Sequence, residues 1–202
     1  MLRLFLAMLL LYPQFASSDD LNSKINLYLR DTHYIQSADY ITSIINHYLV
    51  DDVASDSAIM WSDTLRNLGE AKGDLELVAK SDVLTGKYYL RIANDAEALD
   101  YFYRALKYYK SVGNIDGEAD IYIQIGLVYY LQGQFPDALP NIKLATELYQ
   151  KAKNDSSLST SYYLTGLSYL EIKSYKKAEY FLQQSLRLGK LLSNNQREYE
   201  CY

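Results

Sequence analysis

The sequence predicts an all-α solenoid of stacked antiparallel helix pairs, and two observations carry this prediction. Within one stretch of about 40 residues, apolar side chains such as Ile121, Ile125 and Val128 are spaced as on one face of a helix. The chain also falls into register with itself when it is shifted by 40 residues. A fixed period in this range is the signature of a helical pair that is copied and stacked. The recurring residues are Gly86, Gly126 and Gly166; Tyr89, Tyr129 and Tyr169; Ala98, Ala138 and Ala178; and Asp74, Asn114, Asn154 and Asn194.

Each period predicts two helices that are joined by a short turn. In the period 119–158 the first helix ends before the sequence Gly133-Gln134-Phe135. Pro136 then falls in the first turn of the second helix, where its missing N–H has no helical partner in any case. Pro140 lies further inside that second helix, and we expect a local distortion there.

The boundaries between periods are predicted from the recurring Asp and Asn residues. Asn154 is expected to cap the following helix through its side-chain oxygen, and Asp74, Asn114 and Asn194 occupy the equivalent places. Gly73 and Gly113 stand directly before two of these caps, where a helix end turns left-handed.

Small residues predict where the two helices of a pair come closest. Gly126 on the first helix and Ala138 on the second leave little side-chain bulk, and Ile142 is expected to fill the space around them. A glycine inside a helix costs about 1 kcal/mol relative to alanine, so its recurrence at one phase indicates a steric reason.

These residues resemble the tetratricopeptide repeat, in a long-period subclass of about 40 residues and of an exported bacterial type. The resemblance covers residues 79–198 well and 39–78 weakly, and Asp82 and Asp95 stand where the family has bulk. It implies a right-handed superhelical solenoid. The matching residues in the repeat from 119 are Tyr122, Gly126, Tyr129, Gly133, Phe135, Ala138, Ile142 and Ala145; those from 159 are Tyr162, Gly166, Tyr169, Tyr175, Ala178, Leu182 and Ser185.

The predicted domain organisation follows from these boundaries. It consists of a signal peptide at 1–18, N-terminal helices with one degenerate repeat at 19–78, full repeats at 79–118, 119–158 and 159–198, and the start of a further, truncated repeat at 199–202.

The first 18 residues predict export. Arg3 precedes the unbroken apolar run 4–11, and the small residues 16–18 follow Pro13, which is the order of a secretory signal peptide. The run is shorter than the ~20 residues of a membrane-spanning helix. We therefore expect an exported protein, in the periplasm or cell envelope or secreted, that meets a membrane only through this segment or through a segment downstream of Tyr202.

Composition and motifs exclude several function classes. The chain has 20 basic and 25 acidic residues and no basic run, so a nucleic-acid partner is not expected. His33 and His47 lack neighbouring ligands, and the loop 114–118 lacks the spacing of a calcium loop. No nucleophile and base are patterned together, so the sequence predicts no enzyme, no cofactor and no metal.

The resemblance implies that the first helix of each repeat lines a concave face on which a protein or peptide partner binds. Packing of the same residues inside the superhelix is an equally good interpretation. A non-enzymatic interaction scaffold is the first functional reading, and the extracytoplasmic sensor portion of a longer membrane-bound signalling or transcriptional regulator is the alternative. The partner-binding positions are Lys87, Arg91, Ile123, Leu127, Tyr130, Tyr163, Leu167 and Leu170.

The C-terminal end predicts an apolar edge. The second helix of the repeat from 159 is rich in leucine, and the residues after Asn194 are too few to cover it. Because repeat arrays need a polar terminal cap for solubility, we expect the 202-residue chain to self-associate through this edge.

Overall fold

The computed structural model describes residues 38–39, 41–43, 45–46, 49 and 56–200, and the regular structure within these residues is α-helical. This confirms the all-α prediction. The export segment, both histidines and Cys201 lie outside the described residues. The helices are α1 (Asp56–Lys72), α2 (Leu75–Arg91), α3 (Asp95–Val112), α4 (Ile115–Leu131), α5 (Phe135–Ala152), α6 (Asp155–Glu171) and α7 (Tyr175–Glu200).

The chain divides into two compact units, Met1–Ile92 and Ala93–Tyr202. In the first unit α1 packs on α2. Its core joins side chains from both helices, including Trp61, Leu65 and Leu84, to helical residues in the segment 38–49. Ala58 and Leu65, the two residues of the degenerate repeat that fit the pattern best, are fully buried.

Asp82 departs from the repeat pattern for a visible reason. It is only 5% exposed, and its carboxylate forms an ion pair with the guanidinium of Arg66 on α1. A buried carboxylate is tolerated when it is paired in this way. At this departure from the repeat pattern, an ion pair therefore links α1 to α2.

In the second unit each helix packs on the next one along the chain, from α3 to α7. Its largest core cluster joins α4, α5 and α6 through buried side chains such as Ile123, Ile142 and Leu158. Gly126 and Ala138 lie at the contact between α4 and α5, as predicted. A Cβ placed on Gly126 would lie 2.7 Å from Cγ1 of Ile142 and 3.4 Å from the carbonyl oxygen of Ala138, so only glycine fits this contact without movement.

Residues with left-handed backbone recur every 20 positions among the described residues. Glycine fills three of these positions, and φ there lies between +67° and +73°; the other three have φ between +56° and +59°. Each such residue follows the end of a helix and reverses the chain, so the 40-residue period consists of two halves of equal length. The six positions are Gly73, Ala93, Gly113, Gly133, Lys153 and Lys173.

The predicted helix caps are confirmed at three boundaries. The side chains of Asp74, Asn114 and Asn154 each accept a hydrogen bond from the backbone N–H three residues later, at 3.0, 2.9 and 3.1 Å. Pro136 lies in the first turn of α5, as expected. The helix continues through Pro140 without a break, and the side chain of Asn141 donates to the Asp137 carbonyl beside it at 2.9 Å.

The predicted turn at Asn194 is wrong, because α7 continues through this residue to Glu200. Gly113 reverses the chain at the equivalent point of α3, but Ser193 stands there in α7. Lys153 adopts the left-handed turn at the equivalent point of α5 although it is not glycine, so the residue type alone does not decide whether the helix ends there. The hydroxyl of Ser193 donates to the Lys190 carbonyl at 3.0 Å, a bond within one helical turn.

Candidate functional site

The eight predicted partner-binding residues fall on helices of both units. Lys87 and Arg91 lie on α2 in the first unit, and the other six lie on α4 and α6 in the second. Lys87 is half-buried, and Arg91 is exposed. The guanidinium of Arg91 donates to the backbone carbonyl of Leu49, so this cation already has a structural contact within its unit.

Ile123 is a core residue. It is 9% exposed and belongs to the cluster that joins α4, α5 and α6. Its prediction as a surface contact came from its position in the repeat, and α6 covers that position here. For Ile123 the structure therefore favours internal packing over a ligand contact.

Tyr130 is half-buried against the same cluster, with its ring edge-on to Phe135 at 5.3 Å between centroids. Burial raises the pKa of Tyr130, and the nearby carboxylate of Glu171 and the ring of Tyr163 raise it further. The phenol of α4 thus lies close to side chains of α6, and the two first helices are neighbours at this point.

The open part of the first helices is a narrower surface than the predicted one. Leu127 and Leu167 are half-buried at equivalent positions, and helix geometry places residues four and seven positions away on the same side. Leu131 is 61% exposed, and its equivalent in α6 is Glu171. We call this surface the first-helix face; its residues are Asp120, Leu127 and Leu131 on α4 and Thr160, Leu167 and Glu171 on α6.

The charge of the first-helix face has one sign. Helices α4 and α6 contain five acidic residues and no lysine or arginine. Asp120 is held in place because its carboxylate accepts a hydrogen bond from the Tyr149 hydroxyl at 2.5 Å. Burial, followed by this bond, raises the pKa of Tyr149. The face therefore combines an apolar centre with two carboxylates, those of Asp120 and Glu171.

Tyr163 and Leu170 lie next to this face on α6, toward α7, and are 49% and 44% exposed. Leu170 contributes to an open apolar groove with α7, which continues along α7 past Gln183 to Lys190 and Leu191. We call this surface the edge groove. The 40-residue period is the sequence signal for this groove. The equivalents of Tyr163 and Leu170 one period earlier are Ile123 and Tyr130, which α6 covers. Its other residues are Tyr175, Ala178, Glu179, Leu182, Leu186 and Arg187.

Among the described residues, no group of three or more histidine, cysteine, aspartate or glutamate side chains is placed to hold a metal ion. None of the helices in this part of the chain has the length and apolar run that a membrane crossing requires.

Comparison with known proteins agrees with the repeat architecture. A family model for the tetratricopeptide repeat matches residues 117–190. No curated protein matches the sequence.

Two solved structures resemble the fold. Aspartyl phosphate phosphatase F from Bacillus subtilis superposes with a TM-score of 0.71 at 16% identity, over 87% of this chain and 45% of that protein. BtubC (BKLC) from P. vanneervenii superposes with a TM-score of 0.60 at 18% identity, over 68% of this chain and 57% of that protein. The chain thus spans about half the length of these proteins. It contains a tetratricopeptide repeat in a helical-repeat fold.

Proposed function

We propose that this protein is an interaction scaffold that binds a peptide or protein partner on the first-helix face of its second unit. The observation that carries the proposal is the composition of that face. Leu127, Leu131 and Leu167 form its apolar centre, and the carboxylates of Asp120 and Glu171 lie on the same side of α4 and α6.

The repeat family supports this choice of function class. Tetratricopeptide repeats generally mediate protein–protein interactions, and their fold is typically non-catalytic. The phosphatase in the name of one structural neighbour describes that protein, and at 16% identity the likeness concerns the fold. We therefore propose binding without a catalytic step.

The chemistry of the face defines the partner. An apolar centre favours a partner segment with leucine-like or aromatic side chains. The acidic residues favour lysine or arginine beside them, because complementary charge accelerates encounter and fixes orientation. The proposed partner segment is therefore apolar and basic.

A displayed library of random peptides tests the proposal directly. Peptides selected on the wild-type chain should be enriched in apolar residues flanked by lysine or arginine. They should bind at least about tenfold more weakly when Leu127→Lys and Leu167→Lys are combined, since both changes oppose the partner's charge and remove apolar contact.

Leu144→Lys is the matched control. Leu144 is 43% exposed on α5, so the same change of charge falls on a second helix and should leave the affinity unchanged. Equal binding by the double variant and the control would contradict the proposed location. Circular dichroism of each variant verifies that the helices are intact.

A second proposal concerns location and context. The order of charged, apolar and small residues in 1–18 supports export to the periplasm, the cell envelope or the medium. By analogy with exported repeat regulators, the repeats would then serve as the sensor portion of a longer membrane-bound protein. Protein recovered from the cell envelope or the medium should begin near Asp19. An N-terminus at Met1 in those fractions would contradict the export proposal.

A further inference from the structure

The contact between α5 and α6 shows how this array seats a helix. The face of α5 that α6 covers contains Ile142, Thr146 and Tyr149, which are all buried. The hydroxyl oxygens of Thr146 and Ser161 lie 3.1 Å apart across the contact. At its edge the side-chain amide of Gln150 donates to the Tyr162 hydroxyl at 2.9 Å.

The contact between α3 and α4 repeats the edge bond one period earlier. There the ammonium of Lys110 donates to the Tyr122 hydroxyl at 2.7 Å. Lys110 and Gln150 are 40 residues apart, as are Tyr122 and Tyr162. A donor on the second helix and a tyrosine hydroxyl on the incoming helix are therefore a recurrent feature of this interface.

Side-chain sizes are complementary at the same two contacts. The ring of Tyr109 lies against Gly117, where an added Cβ would approach its Cδ1 to 2.5 Å. One period later the equivalent pair is Tyr149 and Ser157, whose side chains lie close together. A large residue on the second helix thus faces a small residue on the incoming helix, five positions before the tyrosine.

Helix α7 has a different residue at each equivalent position of this seat. Leu182, Leu186, Gly189 and Lys190 are the equivalents of Ile142, Thr146, Tyr149 and Gln150. Leu186 is 59% exposed and lines the edge groove with Leu182. Lys190 provides a side-chain donor, as Lys110 does in α3. Gly189 has no side chain at the position where α5 has Tyr149. A Cβ on Gly189 would meet only Ser159 Oγ, at 3.9 Å.

We propose that the edge groove binds an amphipathic α-helix of a partner protein in the way that α5 binds α6. The partner helix presents a tyrosine hydroxyl to Lys190 and, five residues before it, a large apolar side chain over Gly189. Its remaining contacts are apolar, against Leu182 and Leu186.

The size pattern argues against a second copy of this chain as the occupant. The first helices of the second unit present Gly117 before Tyr122 and Ser157 before Tyr162. The residue that would lie over Gly189 is Gly117 in one helix and Ser157 in the other, and both are small. Either helix would therefore leave a void above Gly189, and a void loses packing contacts. A partner with the opposite size at this position fits better.

Synthetic peptides of the α6 sequence 155–171 provide the probe. All carry Ser156→Glu and Thr160→Lys, an i,i+4 pair at exposed positions that supports the helix. Binding to the full chain is measured by fluorescence anisotropy. The peptide with Ser157→Leu should bind about tenfold more tightly than the peptide that retains Ser157, because it buries a leucine side chain over Gly189.

Variants of the protein locate the site. Leu186→Asp should weaken binding of the Ser157→Leu peptide at least about tenfold, since it places a charge in the apolar seat. Gly189→Tyr should reverse the preference, so that the peptide with Ser157 binds more tightly than the one with Leu. Tyr162→Phe in the peptide should cost about threefold with wild-type protein and nothing with Lys190→Met, if the hydroxyl bonds to Lys190.

Four results would overturn the proposal. These are undetectable binding of the Ser157→Leu peptide, equal binding of the two peptides, binding that survives Leu186→Asp, and a dimer of the chain alone that Leu186→Asp dissociates in sedimentation. The last result would identify a second copy as the occupant. The double variant at Leu127 and Leu167 should bind the helical peptide like wild type, so this test is independent of the first-helix face.

Discussion

The repeats 119–158 and 159–198 share one template but differ in what covers them. Gly126 and Gly166 stand at the same phase of their helices, as do Ala138 and Ala178. In the first repeat, α6 lies over the second helix α5. In the second repeat, the same side of α7 forms the open edge groove.

One pair of equivalent positions differs sharply in exposure. Thr146 is 9% exposed, and Leu186, one period later, is 59% exposed. The polar residue is buried and the apolar one is open, the reverse of what hydropathy alone predicts. Burial in a stacked array is therefore set by the neighbouring helix, and the sequence of one repeat does not determine it.

The largest expected effect comes from filling the closest helix contact. Gly126→Leu should lower the free energy of unfolding by about 3 kcal/mol, at the upper end of overpacking costs, because even a Cβ would lie 2.7 Å from Ile142. Gly166→Leu should cost less, although its Cβ would lie 2.7 Å from Leu182 Cγ, because Leu182 has the open groove beside it. Urea unfolding of both variants measures the difference, and a larger loss at Gly166 would contradict this account of the two repeats.

Truncating the large residue of the second helix should also destabilise the two repeats by different amounts. Ile142 is 1% exposed, so Ile142→Ala should cost about 2–5 kcal/mol through lost burial and an internal cavity. Leu182→Ala should cost less than half as much, because Leu182 is half-buried and its removal enlarges an open groove. Denaturation midpoints of the two variants compare them, and equal losses would show that α7 is covered in solution.

The tyrosine that distinguishes the two repeats should have a smaller effect. Tyr149→Phe removes the hydroxyl that donates to Asp120 and should cost about 1 kcal/mol at neutral pH. The folded-state pKa of Tyr149 is raised above its ordinary value of 10.0. Its contribution is therefore complete below pH 10 and is lost as the pH rises above that value. The stability gap between wild type and Tyr149→Phe should narrow above pH 10; a widening gap would contradict the sign of the shift.

The smallest effect is expected on the first-helix face. Leu127→Ala should cost about 1 kcal/mol or less, since Leu127 is half-buried one residue after the tightly packed Gly126. Thermal unfolding beside Gly126→Leu makes the comparison. A loss as large as that of the glycine variant would mean that Leu127 packs internally and does not face a partner.

Local signals made much of the fold predictable. The caps at Asp74, Asn114 and Asn154 and the close contact at Gly126 each follow from a residue type whose chemistry requires that place. The left-handed turns at Ala93 and Lys173 had no such signal, since neither residue is glycine or asparagine. These turns follow from the chain reversal between two packed helices, and not from the residue type.

The candidate site was less predictable, because it depends on contacts between helices. The place of Ile123 in the repeat predicts a groove position, but α6 covers it. The sequence of one repeat shows Asp82 only as a departure from the pattern, because its partner Arg66 lies 16 residues away on another helix. The turn expected at Asn194 failed for a related reason, since the recurring residue alone does not end α7.

The regular spacing of the left-handed residues has a consequence for engineering the array. Ala93, Lys153 and Lys173 hold a backbone conformation that disfavours residues with a Cβ by roughly 1–2 kcal/mol, whereas Gly73, Gly113 and Gly133 adopt it without that strain. Part of the strain relief would be offset by the greater freedom of glycine in the unfolded chain. Replacing Ala93, Lys153 or Lys173 by glycine is therefore the first change to make for a more heat-resistant solenoid, and it requires no knowledge of a partner.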